Sequence, residues 1–166
     1  MMEQQTLTDA QQQFVEQFAL AWETIAYGRM EGRVMGLFMI VDRPYLASSE
    51  ISQMLNASAG AVSMATRKLI MAGFIHRHVV PGDRQHHFAV EEDVWGGFLR
   101  SERGYIQRLT AVMDTAEEVL SGDAAGPRRR ITHAQNYLNW IDQQHTKLLA
   151  DWNAYRDAHD PEKPHG

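Results

Sequence analysis

The stretch from residue 58 to 69, SAGAVSMATRKL, combines helical spacing with side chains that can bind the edges of nucleic-acid bases. At 100° per residue, the face expected to pack inward carries Val62, Ala65, Thr66 and Leu69. The opposite face, which we call the reading face, carries Gly60, Ser63, Met64, Arg67 and Met71, with Lys68 at its edge. A helix in a major groove needs this layout, because small residues permit close approach, hydroxyls and arginine donate hydrogen bonds, and methionine contacts a thymine methyl.

The residues before this helix complete a helix-turn-helix motif. Either Ser48 or Ser49 is predicted to cap a short helix, which a tight turn follows. Ser58 is expected to cap the next helix, and Gly73 to close it. Because the second helix of such a motif enters the major groove, we predict that the helix over 58–72 reads DNA.

A hairpin with a basic tip is predicted after the reading helix. Its strands run over 74–80 and 84–90, and the turn chemistry of 81–83 joins them. Arg84 in this wing can reach a phosphate or a narrow minor groove. The residues predicted to contact DNA are Ser58, Ala59, Gly60, Ser63, Met64, Arg67, Lys68, Asp83 and Arg84.

The distribution of charge agrees with an anionic partner. The whole chain has a net charge of −5, whereas residues 46–90 carry +2 before four histidines are counted. Local charge steers a polyanion, and the total mainly affects solubility. The acidic total therefore does not exclude double-stranded DNA as a partner.

Residues 30–90 resemble the winged-helix core of the MarR family of bacterial transcription regulators, and in particular its GbsR-like branch. The motifs that carry the resemblance are Gly32-Arg33-x-x-Gly36, Ser49-Glu50-Ile51, Leu55-Asn56-Ala57-Ser58, Val62-Ser63, Arg67-Lys68-Leu69, Ala72-Gly73-Phe74-Ile75 and Pro81-Gly82-Asp83-Arg84. The resemblance extends more loosely over 14–155. It implies a homodimer with reader helices in adjacent major grooves, acting as a repressor or activator tuned by a ligand or by redox state. Since the chain has no cysteine, thiol sensing is excluded.

The flanking helices independently favour a homodimer. Their long apolar stripes cannot all be buried within one small winged domain, and pairing with a second copy buries them. The residues predicted at the dimer interface are Phe14, Phe18, Trp22, Leu138, Ile141, Leu148 and Trp152. A two-fold dimer predicts an inverted-repeat operator with half-sites roughly 34–36 Å apart or a multiple of that.

The expected fold is mainly α with a small β-hairpin wing. The winged helix-turn-helix DNA-binding domain is predicted over 30–90. An amino-terminal dimerisation helix over 8–29 precedes it, and carboxyl-terminal dimerisation helices over 91–157 follow. Residues 158–166 are predicted to form a disordered tail.

Aromatic residues and histidines each leave two interpretations open. Trp22, Trp95 and Trp140 would form an effector pocket for a quaternary ammonium group, with which the GbsR-like branch is associated, or they pack in the core and interface. The histidines at 76, 78, 86 and 87 suit contacts with phosphate better than a metal site, because only Asp83 is available to complete a ligand set. His76 and His78 share one strand face, with His86 expected opposite. We predict no metal and no cofactor.

Other classes of protein fit the sequence less well. No spacing brings a nucleophile, a base and an orienting group together, so an enzyme is not expected. The longest apolar run, Val34 to Val41, is too short to span a bilayer, and a cytoplasmic protein that joins the nucleoid when DNA-bound is expected. The alternative function is a winged-helix protein-interaction module without DNA binding.

Overall fold

A computed structural model of the chain describes residues 6–23, 27–120 and 125–159. The helices are α1 (Asp9–Glu23), α2 (Arg29–Ile40), α3 (Ser48–Met54), α4 (Ala59–Met71), α5 (Val94–Asp114), α6 (Ala116–Val119) and α7 (Ala125–His159). The strands are β1 (Leu46–Ala47), β2 (Ile75–His78) and β3 (His87–Val90). The chain divides into a first unit up to Val94 and a second unit from Trp95. The mainly helical fold with a small antiparallel sheet agrees with the prediction.

The first turn of α3 is closed by a contact between its N-cap backbone and Glu50. The N-cap of α3 is Ala47, so neither Ser48 nor Ser49 caps this helix as predicted. Glu50 Oε2 accepts a hydrogen bond from the Ala47 N–H at 2.7 Å, and Arg43 Nη1 donates to Glu50 Oε1 at 2.6 Å. Partial burial acts to raise the pKa of Glu50, but these two donors together hold that pKa below its ordinary value.

The ends of α4 agree with the sequence. Ser58 Oγ accepts a hydrogen bond from the Ala61 N–H at 3.2 Å, as an N-cap should. Gly73 follows the helix with φ +78°, a conformation that glycine adopts without steric cost. Its N–H donates to Ile70 O, and the Phe74 N–H donates to Leu69 O, which satisfies the last carbonyls of the helix.

The wing is shorter than predicted and belongs to a three-stranded antiparallel sheet of order β1-β3-β2. Residues 79–86 form the connection between β2 and β3, with Gly82 at φ +84°. Strand β1 was not predicted, because two residues are too few to show an alternating pattern. It pairs Leu46 with Phe88 and so attaches the start of α3 to the wing.

Two glycines allow α1 and α2 to pack closely. A Cβ atom at Gly32 would lie 2.7 Å from the Ala19 Cα and 2.9 Å from the Trp22 Cβ. One at Gly36 would lie 3.2 Å from the Phe18 Cβ. The glycines of the Gly-Arg-x-x-Gly motif therefore let α1 pack closely on α2, the helix that packs against the reading helix.

Replacing Gly32 by alanine is expected to lower the free energy of unfolding. Overpacking against backbone costs about 1–3 kcal/mol, which outweighs the roughly 0.5–1 kcal/mol that alanine contributes over glycine in a helix. Gly60→Ala is the matched control, because a Cβ there meets no atom within 4 Å, and it is expected to raise stability. Urea denaturation of both variants measures the difference, and equal effects would contradict the close approach at Gly32.

Trp22 is part of the core of the first unit. It is 4% exposed, and its ring lies 5.3 Å from Phe18, 5.5 Å from Tyr27 and 5.3 Å from Phe74 between centroids. This burial leaves almost no Trp22 surface for a partner subunit or a ligand. The helix α1 ends at Glu23, and Arg29 already begins α2, so the predicted segment 8–29 is not one helix.

In the second unit, α5 and α7 are joined by polar contacts. Arg103 Nε donates to Asp142 Oδ1 at 3.0 Å, and Gln107 Nε2 donates to the same oxygen at 3.3 Å. The Arg103 hydrogen bond holds the pKa of Asp142 below its ordinary value. Helix α7 continues to His159, so residues 158 and 159 of the predicted tail are helical, and residues 160–166 lie outside the described part.

Apolar surface remains open on the helices of the second unit. Leu138 is 4% exposed and already buried within the chain, so it offers little to a partner subunit. Leu148 is 50% exposed, and Ile141 and Trp152 are half-buried. Within the described residues, no helix is both long enough and apolar enough to cross a bilayer.

Candidate nucleic-acid interface

The two faces of α4 are separated as predicted. All four residues of the inward face, Val62, Ala65, Thr66 and Leu69, are at most 2% exposed. On the reading face Met64 is 61% and Met71 is 82% exposed, and Gly60, Ser63 and Arg67 are exposed as well. Thr66 satisfies its hydroxyl by donating to Val62 O at 2.9 Å. The core therefore fixes the rotation of α4 and leaves the reading face to solvent.

A cleft of about 650 Å³ runs between α3, α4 and the sheet. Its walls combine hydroxyls, guanidinium groups and apolar side chains, and its lining residues are Ser48, Ser49, Ser52, Ala59, Ser63, Thr66, Arg67, Ile70, Met71, Arg77, His86 and Phe88. The cleft therefore extends the reading face from α4 onto the start of α3 and onto the wing.

Cationic side chains on this surface differ in what they contact. Arg67, Arg77 and Arg84 are exposed and form no ion pair with any residue that the structure describes. Lys68, in contrast, places its Nζ 2.7 Å from Glu31 Oε1. Three guanidinium groups are thus available to an anionic partner, whereas the lysine predicted to contact DNA is paired within the chain.

The wing turn is held by side-chain contacts. Asp83 Oδ1 accepts the Gln85 N–H at 2.9 Å, and Asp83 Oδ2 lies 3.4 Å from His87 Nε2. Ser49 Oγ lies 2.6 Å from Gln85 Oε1, to which it donates a hydrogen bond. These contacts of Asp83 hold the turn that carries Arg84.

Sequence reasoning missed four polar residues of this surface, namely Ser48, Ser49, Ser52 and Arg77, whereas His86 was already expected near phosphate. An exposed arginine in the middle of a short strand was a usable signal for Arg77. The serines gave none, because Ser48 or Ser49 was predicted only as the cap of the helix.

The histidines of the wing do not converge. His78 pairs across the sheet with His87, so the expectation that His86 lies opposite was wrong. The His78 ring stacks on Tyr45 at 4.2 Å, His87 is 6% exposed, and His76 Nδ1 lies 3.0 Å from Glu91 Oε1. In the described ranges, no group of three or more histidine, aspartate or glutamate side chains is arranged to hold a metal ion.

Known proteins resemble this chain over both units. Residues 93–155 match the family model described as an MmpR5-like MarR family transcriptional regulator. The chain is 32% identical over 133 residues to the HTH-type transcriptional regulator MmpR5 of Mycobacterium tuberculosis (strain ATCC 25618 / H37Rv), covering 78% of this chain and 79% of that protein. A solved structure described as a transcriptional regulator aligns with a TM-score of 0.80 and 26% identity, over 87% of this chain and 99% of the other.

Proposed function

Because the chain belongs to the MarR family of transcriptional regulators, we propose that it is a dimeric repressor that reads an inverted-repeat operator with α4. The family consists of DNA-binding regulators with a winged helix-turn-helix, not of enzymes. The observation that carries the proposal is the reading face, whose polar and apolar groups are exposed while the other face of α4 is fully buried.

Each part of the surface has a distinct proposed contact with DNA. Arg67 donates to a guanine edge and Met64 contacts a thymine methyl, while Ser63 donates to or accepts from a base. The helix start at 58–60 carries only small side chains, so its backbone can approach the DNA closely. Arg84 contacts a phosphate or enters the minor groove from the wing.

Dimerisation is proposed through the helices outside residues 30–90. Phe14 is 40% exposed on α1, and Leu148 is 50% exposed on α7. Other large apolar residues of α5 and α7 are also exposed by half or more, namely Trp95, Tyr105, Val112, Tyr137, Trp140 and Tyr155. A soluble monomer rarely exposes so many in two helices, which supports a second copy as their partner.

A small-molecule effector is proposed to modulate DNA binding, with the protein acting in the cytoplasm and on the nucleoid. Trp95 and Trp140 are about half exposed, so their rings are available to such a ligand. The motifs over 30–90 support the GbsR-like branch, whereas the match over 93–155 is described as MmpR5-like. The branch therefore stays a prediction that effector screening with quaternary ammonium compounds would test.

Selection of bound fragments from genomic DNA, followed by titration at several salt concentrations, tests DNA binding. We expect an inverted repeat to be enriched.

Arg84→Ala should weaken binding to all sequences and reduce the slope of log affinity against log salt by about 0.9, the value for one phosphate contact. Arg108→Ala, an exposed arginine of α5 outside the reading face, is the matched control. If neither Arg84→Ala nor Arg67→Ala alters DNA affinity, the protein-interaction module replaces this proposal.

A further inference from the structure

The carboxylate of Glu31 is buried beneath the edge of α4. Glu31 lies in the first turn of α2, and its side chain is 5% exposed. The carboxylate folds over Gly28, where a Cβ atom would collide with Glu31 Oε2. Glu31 Oε1 lies 2.7 Å from Lys68 Nζ. The carboxylate therefore has an enclosed position and an ionic partner on the reading helix.

This pairing is asymmetric, because the lysine is 59% exposed while the glutamate is almost fully enclosed. Removing Lys68 from the pair would leave a buried carboxylate without its counterion, which is strongly unfavourable. Lys68 itself would lose little by entering solvent or contacting a phosphate. The cost of leaving the Glu31 carboxylate buried without a counterion therefore keeps the Lys68 ammonium in the ion pair.

We propose that Glu31 is a specificity-determining residue that withholds Lys68 from DNA. The inference rests on the proposed function, in which α4 reads an operator. A lysine contact to phosphate adds affinity for any sequence, whereas base contacts discriminate between sequences. By neutralising the ammonium next to Arg67, Glu31 leaves the guanidinium as the cation of α4 that contacts DNA. Discrimination increases because affinity for unrelated DNA decreases.

The test is Glu31→Gln, which removes the charge and keeps the size of the side chain. Freed Lys68 should then contact a phosphate. Affinity for unrelated duplex should rise severalfold at low salt, and the slope of log affinity against log salt should steepen by about 0.9. The ratio of operator affinity to affinity for unrelated duplex should fall. An unchanged slope and ratio in the folded variant would overturn the proposal.

The double variant Glu31→Gln/Lys68→Met is the control, and it leaves neither a buried charge nor a free ammonium. It should return to the wild-type slope and ratio, which shows that Lys68 produces the gain of the single variant. A slope shallower than wild type by about 0.9 would mean that Lys68 already contacts phosphate in the native protein, and would overturn the proposal. This comparison decides the matter even if Glu31→Gln alone does not fold. Arg67→Ala, measured in parallel, reports on the proposed function separately.

Discussion

An Arg67→Ala protein is expected to discriminate its operator from unrelated DNA of the same length markedly less well than the wild type. The Arg67 side chain is exposed on the reading face and makes no ion pair within the described chain. A bidentate contact between arginine and guanine contributes about 1–3 kcal/mol of discrimination, which corresponds to about 5- to 150-fold in relative affinity. Competition between labelled operator and unlabelled unrelated duplex, at fixed salt, measures this ratio directly.

Arg67→Lys distinguishes base reading from simple charge. Lysine keeps the positive charge but lacks the planar fork that binds two acceptors of one base. We therefore expect Arg67→Lys to keep the affinity for unrelated DNA and to lose most of the discrimination that Arg67 contributes. If Arg67→Lys behaves as wild type, or if Arg67→Ala weakens all sequences equally, Arg67 contacts phosphate and not a base.

A Leu148→Asp protein is expected to be monomeric and to lose most of its operator affinity. Leu148 is half exposed on the apolar stripe of α7, and an aspartate placed in an apolar interface would be desolvated without a partner. A monomer binds only one half-site of the operator, whereas the dimer binds both half-sites at once. The loss of linkage corresponds to about 10²- to 10⁴-fold in operator affinity. Sedimentation velocity at micromolar concentration measures the oligomeric state, and titration with the full operator measures the affinity.

The neighbouring residue provides the control for that experiment. Lys147 is exposed next to Leu148 but lies off the apolar stripe, so Lys147→Asp should remain dimeric with only a modest change in affinity. A single half-site probe should bind Leu148→Asp and wild type with similar affinity, because the reading face is intact in both. A Leu148→Asp protein that sediments as a dimer would place the interface elsewhere.

Local sequence determined the reading helix. The caps at Ser58 and Gly73 are built from contacts within a few residues, so residue types alone indicate where α4 begins and ends. The helical period likewise assigned Val62 and Leu69 to the core and Met64 to solvent. The hairpin was predictable from its turn, but the ends of its strands were not, because they depend on pairing across the sheet.

Tertiary structure alone decided which of these groups is available to a partner. From the sequence, Arg67 and Lys68 were both predicted to contact DNA. In the structure only Lys68 pairs with a buried carboxylate, that of Glu31 in α2. Trp22 has the spacing of an interface residue, but it is buried, and the ring of Phe74, which follows α4, packs against it. The capping of α3 was settled by Glu50, supported by Arg43. Periodicity and caps depend on neighbours along one helix, whereas pairing and enclosure depend on which elements meet in space.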